Sequence, residues 1–222
     1  GAEAYPNMTR FDWAVELFPW FEYYLKGIGD EPESYVQMQR NDGRWHIEET
    51  WPPEDVYGEI WGFDTFPGEW VSSTSGGFVK TIPIPGDSPI HISGLPTLHV
   101  DVSTGLCNGG QLFVTMKDGE SGLRLGHATM DVRYRDGGYE SKATSSLSSY
   151  RMLMEFNPMD VVVSSGWLTL EFTESGEDYI PSPCAASGLF VESVELYLPL
   201  IDREDEHEAW FDVPPWWEVQ EM

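Results

Sequence analysis

Between residues 98 and 198 apolar side chains recur at every second position, in short runs separated by turn residues. Leu98, Val100 and Val102 alternate with His99, Asp101 and Ser103, and Leu112, Val114 and Met116 lead into Asp118-Gly119. Met130, Val132 and Tyr134 precede Asp136-Gly137-Gly138. Met152, Met154 and Phe156 form a further run, as do Leu168, Leu170 and Phe172, and a last long one spans Leu189 to Leu198. A period of two places one face of a strand on a core and the other in water. Many short strands, with turn signals roughly every ten to fifteen residues and almost no helix, predict a β-sandwich or jelly roll. No internal repeat interrupts that pattern.

The front of the chain has a different period. Phe11, Ala14, Val15, Phe18, Phe21 and Leu25 recur at helical spacing, with Thr9 placed to cap the start and Gly27 and Gly29 to stop it. Pro19 lies inside this stretch, so either the helix kinks there or a second short helix begins at Pro19. From residue 34 the period becomes two, with Val36 and Met38 before the Asn41-Asp42-Gly43 turn and Trp45 and Ile47 after it. Residues 52–96 are rich in Pro, Gly, Ser and aromatics and show little periodicity, which reads as a long aromatic-pinned excursion over a surface.

Composition narrows the partners. Hydrophobic residues make up 41% of 222, ample for a packed core. The formal net charge of -26 makes nucleic acid and anionic membrane surfaces poor partners. The lysines are Lys26, Lys80, Lys117 and Lys142, and the acids are dispersed, a surface suited to a salt-rich setting; an acidic protein from an ordinary setting is the alternative. No apolar run approaches membrane-spanning length. The opening "GAEAYPNMTR" lacks an initiator Met, so the natural N-terminus is expected upstream, and Asn7-Met8-Thr9 is a glycosylation sequon that matters only in a secreted protein. Cys107 and Cys184 could close one long disulfide loop or stay as two buried thiols.

Chemistry is sparse. No G-x-S-x-G elbow occurs, and "SSTSGG" (72–77) and "GDSPI" (86–90) have the wrong spacing and read as turns. The histidines are His46, His91, His99, His127 and His207; His46, Glu48 and Glu49 lack a third metal ligand at credible spacing. The acidic run from Asp202 to Glu208 lacks the glycine and ligand order of a calcium loop. Neither a metal nor another cofactor is expected. Trp61, Trp70, Trp216 and Trp217 could stack sugars, or pack under the excursion or against another domain.

"WFEYYLKGIG" followed by "ESYVQMQRNDGRWHIEETWPP" resembles the segment that leaves the catalytic domain in the X-prolyl dipeptidyl-peptidase and cocaine-esterase family of α/β-hydrolases. The elements that carry the likeness are Trp20-Phe21, Leu25-Lys26-Gly27, Arg44-Trp45 and Trp51-Pro52-Pro53. "ISGLPTLHVDVST", "QLFVTMKDG", "LGHATMDVRYRDGG" and "YRMLMEFNPMDVVVSSGWLTLEFTESG" are similar to later strands of the family, although its Gly-His-Arg is here Gly166-Trp167-Leu168. The resemblance runs over residues 11 to 201 and implies a jelly roll that packs on an α/β-hydrolase domain carrying Ser, Asp and His. Those three would all lie before Gly1, so no catalytic residue is carried over to this chain.

The resulting expectation is a mainly β protein, a jelly-roll (galactose-binding-like) β-sandwich preceded by one helix left over from an α/β-hydrolase domain. Residues 1–30 are the terminal helix, with Phe11, Phe18, Phe21 and Leu25 as its face toward the catalytic domain. Residues 31–201 are the sandwich with its excursion at 52–96, and 202–222 an acidic, aromatic tail. The expected partner is that catalytic domain, in the same polypeptide or as a nicked chain, with self-association also open. The alternatives are a free-standing carbohydrate-binding module and a secreted structural or assembly protein.

Overall fold

The computed structural model describes residues 10–32, 34–84, 89–136, 140–176 and 179–202. The chain divides into two compact units, whose described parts are residues 10–54 and 55–202.

In the first unit, helix α1 (Arg10–Phe21) passes through Pro19 and continues as a π-helical turn over Glu22–Lys26. Proline supplies no N–H to the ladder, so the α segment already lacks a bond where the backbone then widens. Gly27 ends the helix in the left-handed region at φ 68°, a conformation glycine reaches without a Cβ penalty. Its N–H donates to the Tyr23 carbonyl and the Ile28 N–H to the Glu22 carbonyl, each at 3.0 Å, so the last carbonyls are satisfied. Strands β1 (Val36–Gln39) and β2 (Trp45–Glu48) pair antiparallel, Val36 opposite Glu48, as a two-stranded sheet of their own. Gly43, at φ 92°, makes the turn between them. The hairpin is a sheet of its own and falls in the same compact unit as the helix.

The second unit is a two-sheet antiparallel β-sandwich of jelly-roll type. Its strands are β3 (Tyr57–Val71), β4 (Phe78–Pro83), β5 (Ile90–Gly94), β6 (Thr97–Thr104), β7 (Gln111–Asp118), β8 (Arg124–Asp131), β9 (Ser149–Glu155), β10 (Met159–Val163), β11 (Trp167–Thr173) and β12 (Leu189–Ile201). One sheet has β12 at its centre, paired with β3 on one side and with β6 and then β5 on the other; β9 lies beyond β6 and β10 beyond β5. The other sheet runs β4-β11-β7-β8. Their facing side chains form one core that includes Leu98, Val100, Val102, Met152, Met154, Leu196 and Leu198 from the first sheet and Leu112, Val114, Met116, Leu168, Leu170 and Phe172 from the second. Burial of each such side chain stabilises the fold by about 1.5–3 kcal/mol before chain entropy is set against it.

Two differences from the sequence reading have clear causes. Residues 52–96 are mostly strand, not an excursion, because β3, β4 and β5 all fall within them. The alternation of β3 is hidden by a slip in register: Val191 pairs Glu69 and Ser193 pairs Asp64, and the skipped residues include Pro67 and Gly68. In β12 the extra residue Glu192, which bulges between Val191 and Ser193 while β6 runs on without a break, changes the phase, so that odd-numbered Leu189 and Val191 and then even-numbered Val194, Leu196, Leu198 and Leu200 all reach the core. The spacing predicts a strand over Met130–Tyr134, whereas β8 ends at Asp131 and Val132–Tyr134 is a 3-10 turn. Asp131 forces this stop by accepting from the Arg133 backbone N–H and pairing with its guanidinium.

Candidate functional site

Two features of the described residues stand apart from ordinary packing: an apolar helix with no cover, and an open pocket at one end of the sandwich. The helix exposes Leu17, Phe18, Trp20, Phe21, Tyr24 and Leu25, with Phe18 at 64% and Leu25 at 73%, and Ile28 just past its end is exposed too. At helical spacing these positions fall within roughly 160° of the circumference, one apolar face opposite Glu22 and Lys26. An apolar helix face of this width is normally covered by another element. The expected face residues Phe18, Phe21 and Leu25 therefore lie in solvent-exposed positions; Phe11 is helical, and its side chain lies outside the described residues.

The pocket has a volume of about 470 Å³ and is built by four chain segments. The end of β3 contributes Trp70, and the tight turn after it contributes Ser72, Thr74 and Ser75. The loop after β6 gives Gly105 and Leu106, the loop before β9 gives Leu147, and the loop before β12 gives Ala186 and Ser187. The turn closes because Ser72 and Gly76 exchange backbone bonds at 3.0 and 2.9 Å, and the Ser72 hydroxyl accepts from the Ser75 N–H at 2.9 Å. Ser72 Oγ also lies 2.8 Å from Ser75 Oγ and 3.0 Å from Thr74 Oγ1. In place of a nucleophile, "SSTSGG" is thus a hydroxyl-lined turn.

The loops are tied together from outside the pocket. Cys107 and Cys184 are joined by a disulfide with Cα atoms 5.6 Å apart, linking the loop after β6 to the one before β12. The Cys107 N–H donates to Ser187 Oγ at 3.2 Å, and the Leu147 N–H to the Gly105 carbonyl at 3.1 Å. Leu147 is held at φ 56°, a strained conformation for a non-glycine residue. Gly188, at φ 64°, lies so close to the Val71 carbonyl that a Cβ there would collide with it. Trp70 is braced by Phe190, its cross-strand partner, with ring centroids 5.2 Å apart, and is still 47% exposed.

The other expected residues fall elsewhere. Trp61 packs against the sandwich core and donates from Nε1 to Glu59 at 3.1 Å, away from the pocket lining. Trp216, Trp217 and His207 lie outside the described residues, as do most of the acidic tail and the Asn7 sequon. His99 is exposed, with Nδ1 3.8 Å from Glu195, and His127 Nε2 lies 3.1 Å from the Tyr179 hydroxyl. His91 Nε2 meets Asp160 Oδ1 at 2.7 Å as a part-buried pair across β5 and β10, which β10's separation in sequence conceals. Among the described residues, no group of three or more His, Cys, Asp or Glu could hold a metal ion, and no helix is long and apolar enough to cross a membrane.

Asp118 is buried at the β7–β8 turn. Burial pushes its carboxyl up, but hydrogen bonds from the Ser121 N–H and hydroxyl and from Ser165 outweigh that and hold it below the ordinary carboxylate range. This network pins the turn and takes no part in the pocket.

No protein-family model matches the chain, and no curated protein does. Solved structures do. A CocE/NonD family hydrolase from Staphylococcus aureus superposes with a TM-score of 0.58 at 13% identity, covering 87% of this chain and 46% of that one. A second structure of a Staphylococcus aureus CocE/NonD family hydrolase gives 0.53 at 11% identity, again covering 87% and 46%. An aminopeptidase from a marine sediment Thaumarchaeota archaeon gives 0.49 at 13% identity, covering 83% and 42%. The fold is thus one found as part of larger hydrolase chains, and this chain spans less than half the length of those it matches.

Proposed function

We propose that this chain is the C-terminal, non-catalytic portion of a serine hydrolase of dipeptidyl-peptidase or acyl-ester hydrolase type, and that its sandwich buttresses the catalytic domain and helps wall the substrate pocket. The observation that carries this reading is the exposed apolar helix, whose Leu17, Phe18, Phe21, Tyr24 and Leu25 require a covering surface. The partial coverage of hydrolase chains supports the same reading, since what those chains have beyond the matched part is where a catalytic domain would stand. The nucleophile, base and acid would be supplied by that domain by the triad route.

The test has two arms. The isolated chain is assayed with an Ala-Pro chromogenic peptide and a short-chain nitrophenyl ester, and no turnover is expected. The coding sequence before Gly1 is then read and the longer protein expressed, with a Gly-x-Ser-x-Gly elbow and esterase or peptidase activity expected. Turnover by the isolated chain, or a longer protein with no such elbow, overturns the proposal. A salt-rich working environment belongs to the same reading of the -26 charge, and predicts a melting temperature that falls on dialysis into low salt.

A further inference from the structure

We propose that the pocket at the end of β3 binds a neutral carbohydrate, with Trp70 as the stacking platform and the Ser72–Ser75 turn and Ser187 as hydroxyl partners. This does not depend on what precedes the chain, because every lining residue lies within the sandwich. The first argument is charge. The chain carries 38 acidic residues, yet none of the nine residues lining the pocket is charged. An anionic ligand would meet only the repulsion of the acidic chain, and a cationic one would find no carboxylate in the lining. A neutral ligand incurs neither cost.

The second argument is the pairing of surfaces. A sugar ring has one apolar C–H face and a polar rim of hydroxyls, so its site needs a flat aromatic beside short donors and acceptors. Trp70 supplies the flat ring and Phe190 fixes its plane. Thr74, Ser75 and Ser187 supply hydroxyls, each of which can donate as well as accept, while the buried Ser72 Oγ accepts from the Thr74 and Ser75 N–H groups and holds the turn in shape. Leu106 and Leu147, exposed at 82% and 71%, flank the opening and would cover a ring edge. The third argument is preorganisation. The disulfide, the strained Leu147 and the tight Gly188 approach hold four loops in place before any ligand arrives, which lowers the ordering cost of a weak binder. A pocket of about 470 Å³ accommodates one or two sugar rings.

The experiment titrates the whole chain by calorimetry with neutral oligosaccharides of glucose, xylose, mannose, galactose and N-acetylglucosamine, alongside a proline-rich peptide. At least one sugar series is expected to bind with a dissociation constant on the order of 1 mM or tighter. Trp70→Ala is expected to weaken it by about tenfold or more and Trp70→Phe by less. Leu106→Glu, at a position too exposed to threaten the fold, is expected to weaken it several-fold while leaving the thermal melt unchanged. Failure of every sugar to bind the folded wild-type chain overturns the proposal. So does sugar binding unaffected by Trp70→Ala and Leu106→Glu, or Trp70-dependent binding of the peptide with no sugar.

Discussion

The helix–hairpin unit and the sandwich use similar apolar residues in opposite ways. In the sandwich Phe172, Leu196 and Leu98 are wholly buried, and Phe172 stacks on Phe78 with centroids 4.5 Å apart. In the helix Phe18, Phe21 and Leu25 stand in solvent. The sandwich has two sheets whose apolar faces cover one another, whereas among the described residues the helix has no facing layer. Among the described residues, one region buries its apolar side chains against a second layer and the other does not. Apolar content alone does not separate the two; the presence of a facing layer does.

The sharpest way to break the comparison is to make the same kind of truncation on both sides. Phe172→Ala should cost about 3–5 kcal/mol in denaturant unfolding, because it opens a cavity in a closed core. Loss of under 1 kcal/mol would mean that the sheets do not pack as described. Replacing Cys107 and Cys184 together by Ser should cost about 2–4 kcal/mol, the range expected for opening a loop with a sequence separation of 77. Calorimetric melting with and without reductant checks it, and equal melts would show that the bond adds nothing.

Asp118→Asn should cost about 1–3 kcal/mol, since it removes a buried acceptor of several hydrogen bonds. Its carboxyl titrates lower in the folded protein than in the unfolded chain, so its stabilisation is complete above the unfolded value near pH 4 and is lost as pH falls through the folded one. The Asn variant should therefore show a flatter loss of stability below about pH 4, and an acid limb identical to wild type would sink the assignment. The smallest effect belongs to the helix: Leu25→Ser with Phe18→Ser should change the isolated chain's stability by under about 0.5 kcal/mol while reducing self-association in sedimentation. A large destabilisation there would mean that the helix is already packed.

How much of this could be read in advance varied with what surrounds each strand. In β6, β9 and β11 a core face alternates with more open positions, so Leu98–Val102, Met152–Phe156 and Leu168–Phe172 were plain in the spacing. Strand β3 was not, because the register slip around Pro67 and Gly68 breaks its period and its residues resemble loop composition. The stop at Gly27 was legible from backbone chemistry, but the continuation of the helix through Pro19 into a π turn was decided by the fold. Trp70 was visible as a candidate; its company was not. Ser72, Leu106, Leu147 and Ser187 converge only after β3, β6, β9 and β12 are aligned, and no spacing rule links residues so distant in sequence.

The placement of β12 carries a consequence for how the molecule is made. Among the described residues it is the last strand of the sandwich, and it is also the central one of its sheet, bonded to β3, β5 and β6. During synthesis those three strands emerge with an inner edge unpaired until residues 189–201 arrive. The large sheet is thus completed from residues 189–201 backward to Tyr57, a high-contact-order assembly that folds slowly and leaves strand edges open to mispairing. A ribosome that stalls before Leu189 would release a chain with a four-stranded sheet and no keystone for the other.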